Sequence, residues 1–341
     1  MTGPRPILLA AGGTAGHVYP AIALAAALGR RGIAYAFVTD RRGGALDLGA
    51  GGVAVHVVRA APLVGRGLAG RFWGAVDLVM GTLAARRLLR DLAPAAVVGF
   101  GGYPSVPPVL AATRLGIPTL IHEQNAVLGR ANRLLAARVD GIALAFDPTE
   151  RLAPAVRGRA RLVGNPVRPE ITDLAAAPYA PPRNGGPFRV LIVGGSQGAR
   201  VMADVVPAAI GAVRPGVRER IRVAQQCRPE DVGRLRAAYA GLNVQADCQP
   251  FFHDMAVRLG AAHLVIARAG ASTVAELAVA GRPAILVPYR FAADDHQTVN
   301  ARLREAQGGA WAMPEAAFTK DALAARLEAL ADAPETLAAT A

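Results

Sequence analysis

A histidine at the mouth of a glycine-rich turn is the first residue in this chain equipped for chemistry. Gly12-Gly13-Thr14-Ala15-Gly16-His17 follows the apolar run Ile7 to Ala11, with Val18, Tyr19 and Pro20 next. An imidazole placed there can accept a proton from an incoming hydroxyl, because its ordinary pKa lies near neutrality; it can equally cap or pack the helix that follows. Two further glycine turns close apolar runs, Gly101-Gly102-Tyr103-Pro104-Ser105 and Gly194-Gly195-Ser196-Gln197-Gly198-Ala199. Glycine permits positive φ and close backbone approach, and the helix N-terminus behind such a turn offers unbonded N–H groups, so each can cradle a phosphate. None continues into Gly-Lys-Ser/Thr, which disfavours ATP hydrolysis. Gly12, Gly13 and Gly16 also lack the dinucleotide spacing, which disfavours hydride transfer.

Other polar groups cluster at the ends of apolar runs. His122-Glu123-Gln124-Asn125 sets four hydrogen-bonding side chains in a row, costly to bury unless something occupies them, which points to a ligand-facing loop. Asn165-Pro166-Val167-Arg168 carries an arginine whose forked donors suit a diphosphate. Arg268-Ala269-Gly270-Ala271-Ser272-Thr273-Val274-Ala275-Glu276 looks like a turn opening a helix. Its small residues let a ligand reach backbone amides, and Glu276, one helical turn beyond Ser272, can accept both hydroxyls of a ribose. In Asp294-Asp295-His296-Gln297, Gln297 carries the donor and acceptor that sugar hydroxyls require. The adjacent carboxylates of Asp294 and Asp295 suit a metal or simply a solvated loop.

The elements that must position these groups alternate in type. Short apolar runs at Ile7 to Ala11, Ala34 to Val38, Val53 to Val57, Ala95 to Phe100, Thr119 to His122 and Gly141 to Ala145 are separated by helical patterns. That alternation predicts βαβ units around a parallel sheet. A segment rich in Ala, Pro, Asn and Gly spans 174–187 and reads as a linker. The alternation restarts with Phe188 to Val193, Arg220 to Ala224, His263 to Ala267 and Ala284 to Val287. The fold class is therefore α/β: two tandem doubly wound parallel-sheet domains, 1–173 and 188–341, with ligands bound beyond the carboxyl ends of the strands.

Composition narrows the function classes. A chain of 341 residues, 52% hydrophobic and 18% charged, has room for two domains with separate cores. The net charge of +13 comes almost wholly from arginine and predicts a surface that attracts anions. With 5% aromatic residues and no recognised module, nucleic acid is not the expected partner. Cys227 and Cys248 lack metal-ligand spacing, no export signal opens the chain, and a reducing cytoplasm is expected. The longest nearly apolar stretch, Phe72 to Ala85, is interrupted by Asp77 and falls short of the roughly 20 residues that span a bilayer. Membrane contact is expected to be peripheral.

Taken together, in this order and spacing, the segments Gly12 to His17, Gly101 to Ser105, His122 to Asn125, Asn165 to Arg168, Gly194 to Arg200, Phe251 to Met255, Arg268 to Glu276 and Asp294 to Ala301 carry a resemblance. They resemble the MurG family of undecaprenyl-diphospho-muramoylpentapeptide β-N-acetylglucosaminyltransferases, within glycosyltransferase family 28. The resemblance implies a GT-B fold, its two domains facing a cleft, with the lipid acceptor on the first and UDP-N-acetylglucosamine mainly on the second. It implies inverting transfer to the muramoyl 4-hydroxyl of lipid I, giving lipid II for peptidoglycan at the cytoplasmic face of the inner membrane. By motif position, His17 is then the general base, with Glu123 second. Ser196 and Arg168 approach the diphosphate, Phe252 the uracil, and Ala271, Ser272, Thr273, Val274, Ala275 and Glu276 the nucleotide and ribose. Asn125, His296 and Gln297 approach the sugar, and Thr14, Ala15 and Gly16 line its end of the site.

No cofactor is implied, and because a helix N-terminus with Arg168 can stabilise the leaving diphosphate, no essential metal is expected. Ala15 and His296 stand where the family more often has glycine and glutamine. The family's C-terminal helix, crossing back to the first domain, would lie beyond Ala341. In the segment Pro62 to Leu92, Leu63, Leu68, Phe72, Trp73, Val76 and Val79 alternate with Arg66, Arg71, Arg86, Arg87 and Arg90. That pattern suits docking to an anionic membrane, or an ordinary core helix with a solvated basic face. Cell-wall elongation and division proteins are further partners the resemblance suggests.

Overall fold

The computed structural model describes residues 5–40, 52–60, 68–195 and 198–341. The chain divides into two compact units, residues 1–169 and 170–341.

The first unit holds a seven-stranded sheet of β1 (Ile7–Ala10), β2 (Tyr35–Thr39), β3 (Val55–Val57), β4 (Ala96–Gly99), β5 (Thr119–Glu123), β6 (Gly141–Leu144) and β7 (Ala160–Leu162). Its order is β3-β2-β1-β4-β5-β6-β7, and every neighbouring pair is parallel. The second unit holds a six-stranded sheet of β8 (Phe188–Val193), β9 (Ile221–Gln226), β10 (Gln245–Gln249), β11 (Leu264–Ala267), β12 (Ala284–Leu286) and β13 (Ala310–Ala312), ordered β10-β9-β8-β11-β12-β13 and again parallel throughout. In each sheet the order reverses beside the unit's first strand, between β1 and β4 and between β8 and β11. Loops leaving the carboxyl ends of those strands diverge there and open a crevice.

Sequence explains the central strands directly. Leu8 and Leu9 in β1 and the whole of β11 are buried, as continuous apolar runs are when helices cover both faces of a parallel sheet. Helix ends are set by glycine where a left-handed residue is needed. Gly116, at φ +66°, closes the helix Val106–Leu115, its N–H donating to the Ala112 carbonyl, and Gly281, at φ +56°, closes the helix Ala271–Ala280 in the same way. Three strands went unread in the sequence: β7, β10 and β13. All lie at sheet edges. A strand covered on fewer sides needs fewer apolar residues, and Gln245-Ala-Asp-Cys-Gln249 does not look like a strand out of context.

The segment between Asp173 and Pro187 is tied to the second unit. Tyr179 Oη donates to the His263 carbonyl at 2.8 Å. Beneath it, the buried Arg282 guanidinium donates to the carbonyls of Leu259, Gly260, Ala280 and Gly281. One arginine thus satisfies the carbonyls left open at the ends of the helices Met255–Ala261 and Ala271–Ala280.

Candidate active site

In the first unit, the predicted loops meet at the reversal point. The turn after β1 and the turn after β4 pack backbone to backbone: a Cβ on Gly12 would lie 2.9 Å from Pro104 Cγ, and one on Gly102 would lie 2.8 Å from the Gly12 carbonyl oxygen. Gly101 and Gly102 adopt φ of +81° and +69°, so glycine is required there for both conformation and room. Over this floor lies His17, in the first turn of the helix Ala15–Arg30, for which Thr14 is the N-cap residue. Cβ atoms on Gly101 or Gly102 would come within 3.3 and 3.2 Å of its ring.

Behind His17 runs a hydrogen-bonded chain. Its Nδ1 is 2.9 Å from Gln124 Oε1. Gln124 Nε2 is 2.9 Å from the His122 carbonyl and 3.0 Å from His122 Nδ1, and His122 Nε2 is 3.0 Å from the Gly164 carbonyl. Among the described residues, His17 Nε2 has no hydrogen-bond partner. Burial, the largest influence on His122, holds its pKa below the ordinary histidine value, against the raising pull of the Gly164 carbonyl and the Glu123 carboxylate.

Glu123 is 2% exposed, and both its oxygens are taken. Oε1 accepts from the Asn125 backbone and side-chain nitrogens at 3.0 and 3.2 Å, and Oε2 from Gly129 N and Asn132 Nδ2, each at 2.8 Å. It therefore anchors the loop, which displaces it as an alternative base. Asn125 is held half-buried by this carboxylate at the edge of the cluster. Arg168, carried on the same unit, lies over the Tyr19 ring at 5.0 Å, beside the helix that bears His17.

In the second unit, the reversal point gathers helix N-termini. Gly194 lies so close to the next helix that a Cβ would meet Ala199 N at 2.5 Å, and the helix Arg200–Ala212 begins there. Ser196 falls outside the described residues. After β11, Gly270 caps the helix Ala271–Ala280 without a side-chain bond, leaving the N–H groups of Ala271, Ser272 and Thr273 without intrahelical partners. Ala271 and Val274 turn their side chains into the core, so only their backbone can serve a ligand. Ser272, Thr273, Ala275 and Glu276 stay half-buried, and Ser272 Oγ is buried with no partner among the described residues. Gln297 Oε1 accepts from Tyr289 N at 2.9 Å, which orients the amide and leaves its NH2 to donate. His296 Nδ1 lies 2.8 Å from the Ala293 carbonyl. Asp294 and Asp295 both take left-handed φ, +56° and +54°, and the Asp295 carboxylate accepts from Thr298 Oγ1. Among the described residues no group of three His, Cys, Asp or Glu side chains is placed to hold a metal.

One expectation needs correction. Phe252 is 2% exposed, and the Arg258 guanidinium covers its ring at 3.9 Å, so its face is not open to a base. Phe251 is the aromatic left 50% exposed on that loop, edge-on to His253. Adjacent residues alternate in direction, and the sequence carries no mark of which of two neighbouring phenylalanines turns inward. Asn132 and the Gly164 carbonyl were likewise missed, because their partners lie at the ends of other strands.

Two doubly wound parallel sheets with ligand loops at both reversal points define the GT-B class of glycosyltransferases. The glycosyltransferase family 28 N-terminal domain matches residues 7–144, and the glycosyltransferase family 28 C-terminal domain matches residues 189–341. The UDP-N-acetylglucosamine--N-acetylmuramyl-(pentapeptide) pyrophosphoryl-undecaprenol N-acetylglucosamine transferase of Rhodospirillum rubrum is 53% identical over 334 residues, covering 98% of this chain and 86% of that protein. Its namesake from Paramagnetospirillum magneticum is 51% identical, covering 100% and 92%. The crystal structure of Acinetobacter baumannii MurG superposes with a TM-score of 0.79 at 30% identity, covering 99% of this chain and 93% of that one. The kitacinnamycin glycosyltransferase shares the fold alone, with a TM-score of 0.70 at 17% identity over 98% of this chain and 94% of that one. The chain belongs to the MurG family.

Proposed function

We propose that this protein transfers N-acetylglucosamine from UDP-N-acetylglucosamine to the muramoyl 4-hydroxyl of lipid I, forming lipid II for peptidoglycan. The observation that carries the mechanism is His17, backed through Nδ1 by Gln124 and seated against the two glycine turns, with no partner for Nε2 among the described residues. In the proposed step the 4-hydroxyl oxygen attacks C1 of the donor sugar while its proton passes to His17 Nε2. The C1–O bond to the diphosphate breaks, and the electron pair leaves with UDP. Attack opposite the leaving group inverts C1. General-base help of this kind supplies about 100- to 10,000-fold.

The donor belongs to the second unit in this reading. Free N–H groups at the N-termini of the helices Arg200–Ala212 and Ala271–Ala280 face the phosphates and ribose. Glu276 accepts from the ribose hydroxyls, the Gln297 NH2 donates to the sugar, and Phe251 takes the uracil face. Ser196 and Arg168 serve the diphosphate, and Thr14, Ala15, Gly16, Asn125 and His296 the sugar's surroundings. Charge stabilisation comes from oriented backbone dipoles and an arginine, which needs no metal.

Membrane docking falls to the segment Pro62 to Leu92, of which 62–67 lie outside the described residues and Leu68–Leu92 form a helix 25 residues long. Trp73, Met80 and Leu83 share an exposed side, Trp73 at 63%, and Arg86, Arg87 and Arg90 are exposed further along. Its inner side is fixed by Gly81, where a Cβ would clash with the Arg59 carbonyl, and by buried Ala85 and Leu89. No helix among the described residues is long and apolar enough to cross a membrane. Apolar anchors beside arginines suit an anionic bilayer surface, about 1 kcal/mol per basic residue near the surface.

The test is transfer of labelled N-acetylglucosamine to a lipid I analogue, with and without chelator, by wild type and His17→Ala. Product that survives chelation and is largely lost in the variant is the expected result. Donor binding without product on lipid I would redirect the reading to another acceptor or to a scaffold.

A further inference from the structure

The hydrogen bonds behind His17 decide which of its nitrogens is basic. Gln124 Nε2 lies 2.9 Å from the His122 carbonyl oxygen. A carbonyl has no proton to give, so the nitrogen end of the amide must face it; the reverse orientation would set two acceptor oxygens together. This fixes Gln124 without reference to any imidazole, and Asn132 Nδ2, donating to the same carbonyl at 3.1 Å, holds that carbonyl in place. The second N–H of Gln124 meets His122 Nδ1 at 3.0 Å, and that ring's Nε2, 3.0 Å from the Gly164 carbonyl, must carry the proton. His122 is thus a neutral ring with both nitrogens assigned, in keeping with its burial-lowered pKa. What remains of Gln124 is Oε1, an acceptor only, 2.9 Å from His17 Nδ1. His17 Nδ1 must donate, and in the neutral ring the lone pair then falls on Nε2.

We propose that Gln124 is a positioning residue that locks His17 in the tautomer with Nδ1 protonated and Nε2 basic, while His122 and the Gly164 carbonyl lock Gln124. The proposal rests on the reading of His17 as general base. An amide accepts a hydrogen bond but takes up no proton, so the chain sets tautomer and ring orientation and adds none of the basicity a carboxylate partner would give. When the acceptor hydroxyl's proton arrives at Nε2, the imidazolium keeps its Nδ1–H on Gln124, and the proton goes no further. A chain built to relay protons would need an ionisable group where Gln124 stands. The adjacent carboxylate in sequence, Glu123, is turned onto Asn125, Gly129 and Asn132, and the Arg168 guanidinium lies over Tyr19.

Imidazole 15N NMR on the full chain tests this directly, with the His17 signals assigned by their loss in His17→Ala. With the ring neutral, the wild type is expected to show a protonated Nδ1 and an unprotonated Nε2. Gln124→Leu should populate the Nε2–H form and lower kcat about 10- to 100-fold, less than the roughly 10,000-fold lost by a triad histidine held in the wrong tautomer, with the donor KM unchanged. A wild-type His17 protonated on Nε2, or a tautomer indifferent to Gln124→Leu, would overturn the proposal. The wild-type arm needs only the assignment variant His17→Ala to fold, so it reads out even where Gln124→Leu does not fold. Full transfer by His17→Ala, with the wild type in the Nδ1–H form, would instead overturn the base reading, and with it the catalytic use of the lock, while the lock itself stood.

Discussion

Both sheets reverse their order beside the unit's first strand, yet the groups gathered at the two reversal points differ in kind. The first unit places side chains there: an imidazole wired through Gln124 and His122 to a backbone carbonyl, beside a buried carboxylate with four N–H donors. The second unit places backbone there: helix N-termini approached through glycine, with Gln297 and His296 held by their own loop. In the proposed function one strand order serves two purposes. A proton acceptor needs one atom in one protonation state, and only a fixed side-chain network supplies that. A diphosphate spreads charge over many oxygens, and an array of N–H groups suits it better than any single residue.

The largest break in this contrast is expected from His17→Ala, which should lower kcat about 100- to 10,000-fold, or about 3 to 5 kcal/mol, while UDP affinity measured by calorimetry stays at the wild-type value. Equal losses of turnover and donor affinity would mean that the first unit does not own the chemistry. Next comes Glu123→Leu, which strands the N–H groups of Asn125, Gly129 and Asn132 in a buried site. It should destabilise the first unit by about 3 kcal/mol, seen as an earlier transition in denaturant and faster amide exchange confined to residues 1–169.

The third lies in the second unit and concerns pH. Burial, then Arg189 and Arg282, push His263 down to about 4. The unfolded chain takes up this proton near pH 6.5 and the folded one resists until about 4, so the stability it confers is complete above 6.5 and lost as pH falls towards 4. The loss amounts to about 3 kcal/mol. His263→Gln should flatten that acid limb of the melting temperature; an unchanged slope would place the titrating group elsewhere. The smallest effect is that of Phe251→Ala, expected to weaken UDP binding by about 1 kcal/mol, with no change in the melting temperature because the ring is exposed. The same truncation at Phe252 should instead cost about 3 kcal/mol of stability. Interchanged effects would reverse the assignment of the two rings.

The loops were legible because glycine, proline and runs of polar residues interrupt apolar strands, and a parallel sheet puts those interruptions at one end of every strand. Gly12 to His17 and His122 to Asn125 could be named as chemistry on that basis alone. The direction of Phe251 against Phe252 could not, nor could the occupation of Glu123 by Gly129 and Asn132, since both depend on neighbours that approach through space.

By itself, then, the sequence determined the two-unit α/β architecture, the loops to which function is assigned in the proposal and the residue types offered there. These follow from short-range periodicity and backbone preference, which act between residues close along the chain. Only the tertiary structure decided which nitrogen of His17 meets Gln124, which carboxylate is consumed as an anchor and which aromatic is exposed. Each of those depends on hydrogen bonds and packing between strand ends far apart in sequence, such as the Gly164 carbonyl that fixes His122, and only folding brings them within reach.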